Sequence, residues 1–202
     1  MANSNTPKGL VPIKNNGGEL EVNYYYIPSS YGTALFIGDP VVKTGTSNTA
    51  NVVAGQREFA AGSLPEINKA TAGDNNPITG VVVGFLSDFD NTTLNYNPAS
   101  TERIAVVADN PDQRFEIQEE TAGTALAATS VGLNANVVYA ESGSTATGIS
   151  GAELDTSNPA STATFQLKIL RLVDRADNAI GQHAKWEVKI NRHSDANAVA
   201  GI

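Results

Sequence analysis

Apolar and polar positions alternate along this chain with a period of two, most clearly between residues 163 and 193. There Phe165, Leu167 and Ile169 fall on one side and Gln166 and Lys168 on the other. A second run sets Trp186, Val188 and Ile190 against Glu187, Lys189 and Asn191. This is the pattern of two strands, each with one face on a core and one in water. Between them Asp174, Asp177, Asn178 and Gly181 belong to a connection too long for a two-residue hairpin, which predicts an ordered surface loop. The chain's one tryptophan is Trp186, so this pair is expected to anchor the core.

The same period runs through the rest of the chain. In LEVNYYYI (20–27), Val22, Tyr24 and Tyr26 share one face and Asn23, Tyr25 and Ile27 the other. Aromatic surface on both faces asks for a second layer or another chain. ALFIGDPVVK (34–43) reads as strand, turn, strand, and ERIAVVAD (102–109), RFEIQEE (114–120) and LNANVVYAES (133–142) as further strands. ITGVVVGFLSDF (78–89) is almost continuously apolar, as expected of a strand covered on both faces, with Val81, Val83 and Phe85 buried. TAGTALAATSVG (121–132) is the one plausible helical turn, while 44–76 and 143–159 are long polar excursions with short extended pieces. The expectation is an all-β protein, barrel or sandwich. Its parts are an extended N-terminal arm (1–20), a barrel-like part (21–107), a second β part packed on it (108–195) and a frayed tail (196–202).

Composition narrows the function classes. The chain is 41% apolar and 17% charged, which is globular rather than disordered. Its net charge of −8 and singly scattered Lys and Arg speak against a phosphate-binding surface, so no nucleic acid is expected. No apolar run approaches a membrane span, and the first residues carry no apolar core of a secretory signal. The absence of cysteine removes disulfides, thiolate ligands and a cysteine nucleophile.

Candidate chemistry is thin. His183 lies near Asp174 and Asp177 in sequence, but no G-x-S-x-G string supplies a nucleophile. Gly38-Asp39 lacks the spaced glycines and the Lys-Ser/Thr of a phosphate loop. Two carboxylate groups, Asp174–Asp177–Asn178 and Asp109–Asp112–Glu116–Glu119–Glu120, do not match a twelve-residue calcium loop. On a strand, Glu116, Glu119 and Glu120 cannot all face one way. No catalytic, metal or cofactor residue is predicted. The arm is different: Leu10, Val11 and Ile13 are wasted on a disordered tail, while Pro7, Gly9 and Pro12 oppose a helix. The arm is therefore expected to be mobile alone and to dock on a partner or neighbouring subunit, with Lys8 and Lys14 adding local attraction. Tyr24, Tyr25 and Tyr26 are the other candidate contacts.

The order of the pieces also carries a resemblance. NTPKGLVPIK, YGTALFIGDPVV, ITGVVVGF, FEIQEE, VGLNANVV and the closing FQLKILRLVDRADNAIGQHAKWEVKIN together resemble the decoration (cement) proteins of tailed-bacteriophage heads, podovirus- and cyanophage-like. The likeness spans roughly residues 5–193 and is most specific in the strand–VDRADN–loop–strand run ending VKIN. It implies a β-tulip-like barrel over 31–107 and a virion protein on the outer capsid surface, assembled in the host cytoplasm. It also implies that the protein staples neighbouring major capsid proteins, usually as a homotrimer, without catalytic residues. The rival class is a carbohydrate- or receptor-binding β module of a phage tail or fibre, for which the chain gathers few exposed aromatics.

Overall fold

The computed structural model describes residues 3–13, 18, 20–87 and 94–196. In chain order the strands are β1 (Val11–Ile13), β2 (Asn23–Ile27), β3 (Pro40–Ser47), β4 (Val52–Ala54), β5 (Arg57–Phe59), β6 (Pro65–Lys69) and β7 (Gly80–Phe85). They continue as β8 (Arg103–Ala108), β9 (Arg114–Gln118), β10 (Asn134–Ala135), β11 (Val137–Val138), β12 (Glu153–Leu154), β13 (Leu167–Leu172) and β14 (Lys185–Ile190). The one helical element among the described residues is a 3-10 turn at Ala128–Ser130, inside the stretch expected to turn. The protein is all-β.

Five strands, in the order β2–β6–β3–β7–β8, close on themselves as a barrel, because β8 pairs with both β7 and β2. The inside is filled by Tyr25, Ile27, Leu35, Val41, Ile67, Val82, Ala105 and Val107. The second body is a five-stranded sheet, β1–β9–β14–β13–β10, whose neighbouring strands are antiparallel. Its inner face presents Phe115, Ile117, Leu167, Ile169, Trp186, Val188 and Ile190 to a core that also takes in Ala70, Ile78, Val81 and Ala108 from the barrel side. The barrel and the sheet thus share one core.

Strand β7 shows how. Val81 faces the shared core and Val82 the barrel interior, the two-faced burial that an apolar run implies. The register slips between Val82 and Gly84, leaving Val83 as an extra residue. A bulge of this kind reverses the alternation that follows it. Phe85 therefore turns into the barrel, and Val83 and Phe85 are only half-buried, less than the sequence pattern predicts.

Two other expectations change. The water-facing position assigned to Gln166 is wrong: the residue is fully buried. Its amide donates to the carbonyls of Thr71 (2.8 Å) and Asn76 (3.1 Å) and accepts from the N–H groups of Gly73 (3.1 Å) and Val137 (3.2 Å). One side chain thereby satisfies three backbone groups of the loop between β6 and β7, which has no ladder of its own, and one at the start of β11. The excursion from Thr44 to Asn76 is also more regular than its composition suggests. It supplies β6, a barrel strand between β2 and β3, and the β4–β5 hairpin that covers the outside of β2.

The arm is the main correction. Residues 3–13 do not stand apart from the body. Leu10 is fully buried in the shared core, its N–H donates to Gly38 O (3.0 Å), and β1 pairs with β9 in register Val11↔Glu116. Gly9 and Gly38 have φ of +66° and +94°, and they meet backbone to backbone. A Cβ on Gly9 would stand 2.3 Å from Gly38 O, and one on Gly38 would stand 2.2 Å from Lys8 O. Only glycine fits either position. The groove that the arm needs is formed by its own chain.

Candidate functional site

Three places collect polar or aromatic groups that could meet a ligand or a partner. The first is the outside of β2. The β4–β5 hairpin lies over it, so the second layer demanded by the tyrosines comes from the same chain: Tyr24 meets Phe59 edge-on, with centroids 5.6 Å apart, and Arg57 sits 5.0 Å over the Tyr24 ring. Tyr25 points inward, is 4% exposed, and donates to Asp109 Oδ2 at 2.7 Å. Burial, reinforced by that bond, pushes its phenol far above the ordinary range. Tyr26 donates to Glu102 Oε2 at 2.5 Å, and its phenol is pushed up to about 12, chiefly by burial. A cleft of about 430 Å³ opens here between Asn23, Arg57, Ser63 and Asp109.

The second is the joint between barrel and loops. Asp39, fully buried, accepts from Phe36 N–H (2.9 Å) and the Ser150 hydroxyl (2.5 Å), and pairs with Lys69 Nζ (3.0 Å). Lys69 Nζ also lies 4.3 Å over the Tyr139 ring. The Gly38-Asp39 string dismissed as a phosphate loop is thus a structural hub. Ser150, more than a hundred residues away in sequence, gives no local signal of this.

The third is the outer face of the five-stranded sheet and the loop beyond it. Glu187, expected in water, is 3% exposed, because Arg114 (2.9 Å) and Arg171 (2.5 Å) close over it from β9 and β13. Arg175 pairs with Glu116 (3.0 Å) and Asp177 (2.9 Å), and its hydrogen bond holds the Asp177 carboxyl below the usual range. The Lys189 ammonium does the same for Asp112.

The sequence-predicted groups disperse among these structures. Within the two carboxylate clusters, Asp109 serves Tyr25, Asp112 serves Lys189, and Glu116 serves Arg175. Glu119 accepts from Trp186 Nε1 (2.9 Å) and from Leu126 N–H (3.2 Å), and Glu120 from Thr156 N–H (3.0 Å). Burial raises the carboxyls of Glu119, Glu120 and Glu153 above their ordinary range. Among the described residues no three acidic or histidine side chains are grouped as metal ligands would be. His183 Nδ1 lies 3.3 Å from Thr121 Oγ1, while Asp177 is taken by Arg175, so the anticipated His–Asp proximity is not what positions this imidazole. His193, at the end of the second β part, is buried and bridges to Ile78, and burial lowers its imidazole below the ordinary range.

Of the candidate contacts, Lys8 is exposed, Val11 is 38% exposed and Ile13 is half-buried. Leu10 and Tyr25 are corrected: both are buried by their own chain and offer nothing to a partner. Tyr24 and Tyr26 are half-buried under the hairpin. Lys14 lies outside the described residues, as does most of the tail.

The fold and these surfaces define a polar, all-β protein that couples a closed barrel to a sheet with a charged outer face. No protein-family model, characterised protein or solved structure matches the chain.

Proposed function

We propose that this is a structural protein of a phage head, a decoration protein that binds the outside of the capsid and staples neighbouring major capsid proteins. One observation carries the reading: the segments that bear the resemblance are contiguous in space. The KGLVPI arm bonds to GDPVV through Leu10 N–H and Gly38 O, and GDPVV bonds to GVVVGF through Gly38 N–H and Val82 O (2.8 Å). The arm also pairs with FEIQEE, which pairs in turn with the closing KWEVKI strand. The likeness therefore follows one connected framework rather than scattered strings. The polar groups weighed as chemistry are used within that framework, which fits a non-enzymatic scaffold that has major capsid protein and its own copies as partners.

The test is occupancy on undecorated heads of a candidate host phage, measured by sedimentation with purified protein. The expected result is saturable binding and greater heat resistance of the particle. Binding to glycans without binding to heads would favour the rival receptor-binding class. The cleft beside Tyr24 is the one feature that supports that class, but Arg57 already covers the Tyr24 ring on which a sugar would stack.

A further inference from the structure

We infer that the outer face of the β9–β14–β13 sheet is a docking surface for an acidic protein partner. The register fixes which side chains share this face. With Phe115, Trp186 and Leu167 turned to the core, Arg114, Lys185, Lys189 and Lys168 must turn away from it, and Arg171 stands opposite Glu187 on the same side. From the strands five cations thus face outward against two carboxylates, Glu116 and Glu187, with Asp112 reaching Lys189 from the turn before β9 and the Arg175–Asp177 pair joining from the loop before β14, on a chain whose net charge is −8. A solvated face on an acidic protein has no reason to concentrate the minority charge.

Two details go beyond concentration. Lys168 and Lys189 are directly opposed across β13 and β14, an arrangement that repels unless an anion lies between or above them. Asp112 answers Lys189, but Lys168 and Lys185 take part in no ion pair among the described residues. The Lys185 charge acts on Asp177 without forming an ion pair, and that of Lys168 is left for something outside the chain. Arg114 and Arg171, by contrast, are held in place by Glu187, so part of the face is oriented before any partner arrives. At one end, a cleft of about 510 Å³ is lined by Lys168 and Lys189 and by Asp112 and Asp195, with Lys168 the lysine not already paired there.

The carboxylates decide the chemistry of the partner. A polyphosphate carries no positive group to meet Glu116 and Asp112, and the overall charge of the chain opposes a uniform polyanion. A mixed face with a cationic excess fits a protein surface with an acidic excess, where each sign meets its opposite. The inference touches the proposed function only in letting a capsid lattice be the bearer of that acidic surface.

A glutamate–lysine copolymer with glutamate in excess is the probe, with the full chain at low ionic strength and binding followed by NMR chemical shifts and by fluorescence titration. Expected are shifts confined to residues 114–118, 167–172 and 185–190, binding that fades with added salt, and at least a tenfold loss in the Lys168→Glu/Lys185→Glu variant. Both lysines lie outside the core, and a thermal melt shows whether that variant is folded. Arg57→Glu, on the β4–β5 hairpin, should bind as the parent does. Several results would overturn the inference: no binding by the parent, an equal loss in Arg57→Glu, or stronger binding through the same lysines to duplex DNA or to phosphatidylserine vesicles. A protein that self-associates without the probe, and loses this in the double variant, would make the occupant a second copy instead. Because no particle enters the experiment, its failure is separate from a failure of head binding.

Discussion

Replacing Leu10 by alanine tests whether the N-terminal arm belongs to the folded body. Leu10 is fully buried in the shared core, whereas its neighbour Val11 is 38% exposed on the edge strand. Truncating a buried leucine removes the transfer free energy of its methyl groups and leaves a cavity, together about 2–5 kcal/mol. That is a large share of a folding free energy of roughly 5–15 kcal/mol. For a chain of this size each kcal/mol moves the melting point by about 2–4 °C, so Leu10→Ala should melt roughly 4–20 °C lower. Val11→Ala, on the surface, should stay within about 0.5 kcal/mol of the parent. The assay is urea denaturation followed by Trp186 fluorescence, with calorimetry for the melting point. Trp186 packs in the same core, so the probe reports on the site of damage. If Leu10→Ala and Val11→Ala unfold at the same urea concentration as the parent, the arm is not part of the cooperative unit.

Gly9→Ala should cost more than Gly55→Ala in a thermal melt: both glycines have positive φ, but only at Gly9 would the new Cβ strike backbone, and equal costs would refute the clash. Removing Arg114 and Arg171 together should destabilise more than Glu187→Ala, because it strands a nearly buried carboxylate, whereas the arginines left behind are largely exposed; urea midpoints of the two variants decide it. Stability should also respond to acid. Glu119, Glu120 and Glu153 have raised folded values, so their contribution is full below the ordinary carboxylate range and is lost as pH rises through those values. His193, lowered by burial, acts the other way, losing its contribution as pH falls through the ordinary imidazole range. Glu119→Gln carries no titrating carboxyl at this position, so its urea midpoint should lose less than the parent's as pH rises from the ordinary carboxylate range; an identical pH profile would remove Glu119 from the account.

Strands with a clear alternation, and the side their residues take up to a bulge, were legible in the sequence, because a period of two depends only on neighbours along the chain. Phe165, Leu167, Ile169, Trp186, Val188 and Ile190 are buried as their alternation implies, and the one helical turn among the described residues falls where it was expected. What the sequence by itself could not determine was closure and partnership. That β8 pairs with both β7 and β2 depends on chain segments far apart in sequence, and no local pattern encodes it. Polarity misled at Gln166 and Glu187. Whether a polar side chain sits in water or is sealed by hydrogen bonds depends on backbone or guanidinium groups delivered by other strands. Leu10 misled for the same reason: an isolated apolar triplet among glycines and prolines looks like a free arm. The groove that receives it is made of β9 and the Gly38 turn, more than a hundred and nearly thirty residues away along the chain. The sequence set which face of each strand is apolar; the tertiary structure alone set what covers it, because burial is a property of neighbours in space.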